Sequence, residues 1–197
     1  MGQGLTDRLA FLRAFVAHPR RVGAVLPTSR WAVRDMLDMA DVHSADLVVE
    51  LGAGTGVYTR EILARLRPDA HLMTLERDPR LARLLTEQYQ DSRVRVICDS
   101  AENVQAHLKG ARTELVISGL PFTSLGSDVR QRIFSQIVDI LAPDGVALVL
   151  QYSPVIQGQL RGIFPYVERR VSLLNVPPAF LFACSMNLAA STRPEMT

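Results

Sequence analysis

The stretch Val48-Val49-Glu50-Leu51-Gly52-Ala53-Gly54-Thr55-Gly56 limits what this chain can fold into more than any other. An apolar run stops at three alternate glycines. Tyr58–Leu66 follows, with Ile62, Leu63 and Leu66 at helical spacing. The pattern predicts a buried strand, a tight turn and a helix. Glycine tolerates left-handed backbone and lets a ligand approach the main chain, and the helix start behind it has free N–H groups. The glycines are spaced GxGxG rather than the GxGxxG of a dinucleotide site, which disfavours a nicotinamide dehydrogenase.

The rest of the chain alternates in the same way. Apolar runs at Leu47–Leu51, Leu72–Leu75, Val94–Cys98, Leu115–Ser118 and Val146–Gln151 read as strands buried on both faces, as parallel strands are. Pro79–Tyr89 and Asp128–Leu141 read as helices, the second stopped by a Pro143-Asp144-Gly145 turn. Strand–helix alternation implies an α/β fold, a mostly parallel sheet with helices on both faces. The tail differs. Val167–Leu174 and Ala179–Leu188 look like strands separated only by Asn175-Val176-Pro177-Pro178, which predicts an antiparallel pair. Two helices, Thr6–Ala17 and Ser29–Ala40, precede the first strand. The expected division is an N-terminal helical extension over 1–40 and an α/β domain over 41–197.

Composition narrows the function classes. With 48% hydrophobic and 21% charged residues the chain can build a core and is not a disordered polymer. A net charge of +2 argues against a dedicated nucleic-acid binder. Lys109 is the sole lysine among 22 cationic residues, a bias that fits a GC-rich genome. Cys98 and Cys184 form no CxxC and have no histidine cluster nearby, so no metal site is expected. No signal peptide or membrane-spanning run of about 18 residues is visible, so the expected location is cytoplasmic.

Two acids extend the glycine motif. Glu76, followed by Arg77, ends the second strand about 20 residues past the glycines, where a carboxylate can accept ribose hydroxyls. Asp99 ends the third strand, followed by Ser100 and Ala101, and can accept from an adenine amino group. All lie at carboxyl ends of parallel strands, where such sheets bind ligands.

These residues, from Glu50 to Gly56, then Glu76, then Asp99 to Ala101, resemble the successive motifs of class I methyltransferases. The resemblance implies a Rossmann-like seven-stranded sheet with an antiparallel last strand, and S-adenosylmethionine as cofactor. It would place Gly52, Gly54 and Gly56 along the methionine portion, Glu76 at the ribose, and Asp99 with Ala101 at the adenine. Glu50, Tyr58, Arg77, Ser100 and Ser29 complete the expected cofactor set.

The fourth strand ends in Ser118-Gly119-Leu120-Pro121-Phe122. In amino-methylating relatives this place carries proline followed by an aromatic. Carbonyls of such a loop can accept amine hydrogens, and Phe122 can face the developing cation, so Gly119, Leu120, Pro121 and Phe122 are the candidate catalytic residues. At the N-terminus, Leu5, Leu9, Leu12 and Val16 share a helical face beside arginines, a pattern that suits either packing on the domain or lying on an anionic bilayer.

The stretch from that helix through Arg21-Val22-Gly23-Ala24-Val25-Leu26-Pro27-Thr28-Ser29, together with Ser118-Gly119-Leu120-Pro121-Phe122 and the Asn175-Val176-Pro177-Pro178-Ala179 turn, resembles bacterial phospholipid N-methyltransferases. The resemblance implies stepwise methylation of phosphatidylethanolamine toward phosphatidylcholine. It also implies peripheral association with the inner membrane face through the N-terminal helix, and closure of the site by residues 27–29. Arg20, Arg21 and Tyr152 are the candidate substrate contacts. A small-molecule amine methyltransferase, an RNA adenine N6-dimethyltransferase and a non-catalytic binding module are the rivals. The RNA reading is weakened by the absence of a basic C-terminal domain and of a leading Asn before Leu120.

Overall fold

The computed structural model describes residues 28–187. Seven strands form one sheet: β1 (Leu47–Leu51), β2 (His71–Leu75), β3 (Val94–Ile97), β4 (Thr113–Ser118), β5 (Leu141–Gln151), β6 (Tyr166–Ser172) and β7 (Ala179–Ser185). Their spatial order is β3-β2-β1-β4-β5-β7-β6. Strands β1 to β5 pair in parallel, and β7 runs antiparallel to both β5 and β6. The expected fold class is therefore the observed one, and the tail strands do pair antiparallel. β7 lies between β5 and β6, so the last strand is not at the edge.

Six α-helices accompany the sheet among the described residues: α1 (Arg30–Leu37), α2 (Val57–Leu63), α3 (Pro79–Gln88), α4 (Val104–Leu108), α5 (Ser127–Ile140) and α6 (Gln157–Ile163). α1 starts where the Ser29 side chain accepts from the Ala32 N–H, and α3 where Asp78 accepts from Arg80. The helix expected over Ser29–Ala40 is shorter: Asp38 makes the last four-residue bond, to the Arg34 carbonyl, and the N–H groups of Met39 and Ala40 reach only three residues back, to Met36 and Leu37. The Pro143-Asp144-Gly145 segment is a sheet irregularity rather than a free turn. Thr113 pairs with Leu141 and Leu115 with Val146, so the register shifts across it.

Alternate residues of β1, β2, β4, β5 and β7 feed two cores. Val48, Leu72, Ile117 and Leu148 face one side with Ala32, Val33, Met36 and Leu37 of α1 and Ile62 of α2. Val49, Leu75, Val116 and Val149 face the other with Ile133, Phe134 and Ile137 of α5 and Leu160 of α6. Each fully buried Leu or Ile contributes ~1.5–3 kcal/mol from leaving water. Residues 30–37, which the sequence groups with the N-terminal extension, thus share the core of the sheet. The predicted helix Thr6–Ala17 lies outside the described residues, as do Arg20, Arg21 and Pro27. No described helix is long and apolar enough to cross a membrane.

Candidate functional site

The carboxyl ends of β1, β2, β3 and β4 open onto one cleft of about 530 Å³, within the range of ligand sites. Gly52, Gly54, Tyr58, Glu76, Arg77, Asp99, Ser100, Ala101, Gly119, Leu120 and Pro121 all line it. The topology explains this convergence. β1 is central, with β2 and β4 on either side, so the loops after all three meet at one end.

The glycine turn is shaped for a close neighbour. Gly52, Gly54 and Gly56 have φ of +78°, +56° and +80°. A Cβ on Gly52 would lie 2.6 Å from Leu120 Cδ2, and one on Gly56 would lie 2.9 Å from Leu85 Cδ2. One on Gly54 would meet nothing within 4 Å. Gly52 and Gly56 therefore pack the turn, and Gly54 presents bare backbone to the cleft.

Glu76 fixes that turn from β2. Its Oε2 accepts from the Gly54 N–H and its Oε1 from the Asp78 N–H, both at 2.8 Å. Asp99 accepts from Ser100 N–H at 2.6 Å and Asn103 Nδ2 at 2.9 Å, and pairs with His107 Nε2 at 2.7 Å. These partners, His107 first, hold the Asp99 carboxyl below the usual carboxylate range. His107 was not singled out by sequence reasoning. It stands on α4, a helix too short to show a periodic stripe.

Glu50 is placed differently from the other acids. It is 1% exposed and sits behind the glycine turn, not in the cleft. Its Oε2 accepts from the Thr59 hydroxyl at 2.7 Å. Its Oε1 and the hydroxyl of Thr74, opposite it in the β1–β2 register, are buried without a well-formed hydrogen bond, although Thr74 still favours the charged carboxylate. Burial pushes the Glu50 carboxyl up to about 7. In this arrangement it braces β1 against α2 and touches no ligand space.

The loop after β4 corrects one expectation and adds a residue. Phe122 does not face the cleft. It is fully buried and stacks on Phe134 with ring centroids 4.6 Å apart. The short 3-10 turn Phe122–Ser124 begins directly after Pro121 and turns the ring into the core. Gly119, Leu120 and Pro121 remain at the wall. The Leu120 carbonyl accepts from the Phe122 N–H at 2.9 Å and from Gln151 Nε2 at 2.8 Å. Gln151, 3% exposed at the end of β5, thereby clamps the loop. A Cβ on Gly119 would lie 3.2 Å from the Tyr58 ring, so an Asn in its place would crowd Tyr58.

At the cleft mouth the Tyr58 hydroxyl donates to Thr28 Oγ1 at 3.4 Å, and Thr28 Oγ1 also bonds the Tyr152 hydroxyl at 3.0 Å. Burial pushes both phenols up, which keeps them neutral. Thr28 lines the cleft. Its neighbour Ser29 instead caps α1 and bonds the Leu174 carbonyl, so its side chain is spent on structure. No cluster of three or more His, Cys, Asp or Glu among the described residues is placed to hold a metal.

Residues 48–145 match a methyltransferase domain family. The chain is 31% identical over 185 residues to the ornithine lipid N-methyltransferase of Singulisphaera acidiphila, covering 91% of this chain and 96% of that protein. It is 29% identical over 117 residues to the ribosomal RNA small subunit methyltransferase A of Protochlamydia amoebophila, spanning 53% of this chain and 40% of that one. In fold it is similar to a T. thermophilus 16S rRNA methyltransferase in complex with AdoMet and guanosine. That match has a TM-score of 0.63 and 21% identity, over 83% of this chain and 44% of the other.

Proposed function

Because the chain belongs to the class I S-adenosylmethionine-dependent methyltransferases, we propose that its acceptor is the amine of a membrane lipid, phosphatidylethanolamine, methylated stepwise toward phosphatidylcholine at the membrane surface. The observation that carries this reading is the end-to-end similarity to a lipid amine methyltransferase. The loop geometry supports it, since Gly119 lies against Tyr58 where a motif acting on adenine would project an Asn. That same relative favours a second acceptor, the amine of an ornithine lipid.

The cleft suits the cofactor on its own evidence. Gly54 leaves backbone open beside it, and Glu76 and Asp99 stand along one wall as acceptors for hydroxyl and amino groups. Glu76 would take the ribose, Asp99 with Ala101 the adenine, and Gly52 and Gly54 the methionine portion, with Arg77, Ser100 and Tyr58 around them. S-adenosylmethionine supplies a methyl group on a cationic sulfur, open to in-line attack by a neutral amine. The chain's own task is placement. Gln151 holds Leu120 so that the Gly119-Leu120-Pro121 wall keeps one shape, and a fixed wall limits where the amine can sit. The part-buried hydroxyls of Tyr58, Thr28 and Tyr152, bonded to one another, line the mouth with neutral groups. Arg20, Arg21 and the amphipathic stretch that the sequence places before them would meet the lipid phosphate and the anionic surface.

The test is transfer of labelled methyl from S-adenosylmethionine to liposomes of phosphatidylethanolamine mixed with an anionic lipid. Ornithine lipid, free ethanolamine and ribosomal RNA run in parallel. Label in the phosphatidylethanolamine phase is the expected result. Label confined to ornithine lipid moves the acceptor within the lipid class, and label only in RNA or ethanolamine overturns the lipid reading.

A further inference from the structure

The turn between β6 and β7 leaves Leu173 76%, Leu174 63% and Val176 69% exposed. Single exposed aliphatics are ordinary, but a contiguous group on a soluble surface marks a contact with something else. The turn is not a loose tip. Asn175, between the exposed residues, is 2% exposed; its Oδ1 accepts from the Ser29 N–H and its Nδ2 donates to the Pro177 carbonyl, both at 2.7 Å. Ser29 Oγ donates in turn to the Leu174 carbonyl at 3.1 Å. The aliphatic side chains are thus held outward by a buried polar anchor.

We propose that this β6–β7 turn inserts its aliphatic side chains into the surface of a phospholipid bilayer, seating the cleft mouth against it. The proposal rests on the lipid-acceptor reading for its partner. Three observations point to lipid. Ser29, which ties the turn down, adjoins Thr28, which lines the cleft, so turn and cleft share one end of the sheet. Beside them Trp31 is 47% exposed, with the Arg30 and Arg34 guanidinium carbons 5.1 and 5.4 Å from its ring centre. An aromatic ring flanked by cations suits the head-group layer. Arg30 pairs with no carboxylate among the described residues, which leaves it available to lipid phosphate. Exposed aliphatics together with a half-exposed tryptophan and an arginine on the adjoining segment are side chains that a membrane interface accommodates.

The experiment uses the full chain and vesicles of phosphatidylethanolamine with phosphatidylglycerol. Binding is read by sedimentation and by emission of Trp31, the only tryptophan. Wild-type protein should bind, with Trp31 emission shifted to the blue and quenched by lipids brominated near the head group. The combined variant Leu173→Ser, Leu174→Ser, Val176→Ser should bind at least about tenfold more weakly, with unchanged circular dichroism and cofactor affinity. Leu173→Ser alone should weaken binding in the same direction. Wild-type protein that ignores vesicles, or a combined variant that sediments like wild type, overturns the assignment. Binding does not require turnover. A difference in binding without methyl transfer to any lipid would therefore sink the acceptor reading and leave the docking surface standing.

Discussion

Replacing Glu50 by Gln separates a buried charge from the shape that carries it. Burial is the main reason the folded carboxyl is pushed from 4.5 to about 7, and the Thr59 and Thr74 hydroxyls offset only part of that effect. A carboxyl raised in this way binds its proton more tightly in the folded state than in the unfolded one. Its contribution to stability is fully present below the unfolded value of 4.5 and is lost as pH rises through about 7. The whole span corresponds to ~3 kcal/mol. Glutamine keeps an oxygen for the Thr59 hydroxyl and cannot ionise. Glu50→Gln should therefore be close to wild type at pH 5, within ~1 kcal/mol, and more stable at pH 8 by up to ~3 kcal/mol. Urea unfolding followed by circular dichroism from pH 5 to pH 8, at fixed ionic strength and without cofactor, reads this directly. Subtracting the two proteins cancels the groups that titrate in both. A difference that stays constant across the series, or a variant less stable than wild type at pH 8, would refute the argument that Glu50 carries a desolvated charge.

Glu76→Ala removes the acceptor beside Gly54 and should weaken S-adenosylmethionine binding about 10- to 100-fold in calorimetry, the worth of one or two charge-assisted bonds; wild-type affinity would sink the ribose assignment. Gln151→Met keeps the volume but frees the Leu120 carbonyl, and should lower kcat by roughly tenfold or more while cofactor affinity holds. Equal loss of cofactor binding would show that Gln151 supports the whole site rather than the loop. Gly56→Ala places a Cβ at φ +80° against Leu85 and Tyr89, and should destabilise the fold by ~1–3 kcal/mol in thermal unfolding.

The parts of this fold that the sequence announced are those governed by short-range regularity. β1 to β5 are short apolar runs between turn residues, and the glycines of the first turn have no ordinary alternative at their φ values. The carboxylates Glu76 and Asp99 follow because they end strands whose direction is set by parallel pairing. What stayed hidden depends on contacts between distant residues or on breaks in periodicity. Gln151 reads as the polar end of a strand until it is seen bonding Leu120. Phe122 invites a role at the cleft, but the turn after Pro121 resets which way its ring points. Ser29 resembles a cofactor contact, and only its bonds to Leu174 and Asn175 show where its polar groups go. Glu50 belongs to the motif by position, yet β1 alternation turns it behind the turn rather than into the cleft.

The position of β7 has a consequence for assembly. Val146 to Gln151 of β5 pair with Ser185 to Phe180, and the same β7 residues pair on their other side with β6. During synthesis β6 emerges before the strand it must lie against, and β5 keeps an unpaired edge until β7 arrives. Such edges can recruit other chains. A chain shortened before residue 179 would lose a shared inner strand and leave two edges bare, so truncation there should shift the product from soluble to aggregated rather than trim a dispensable tail.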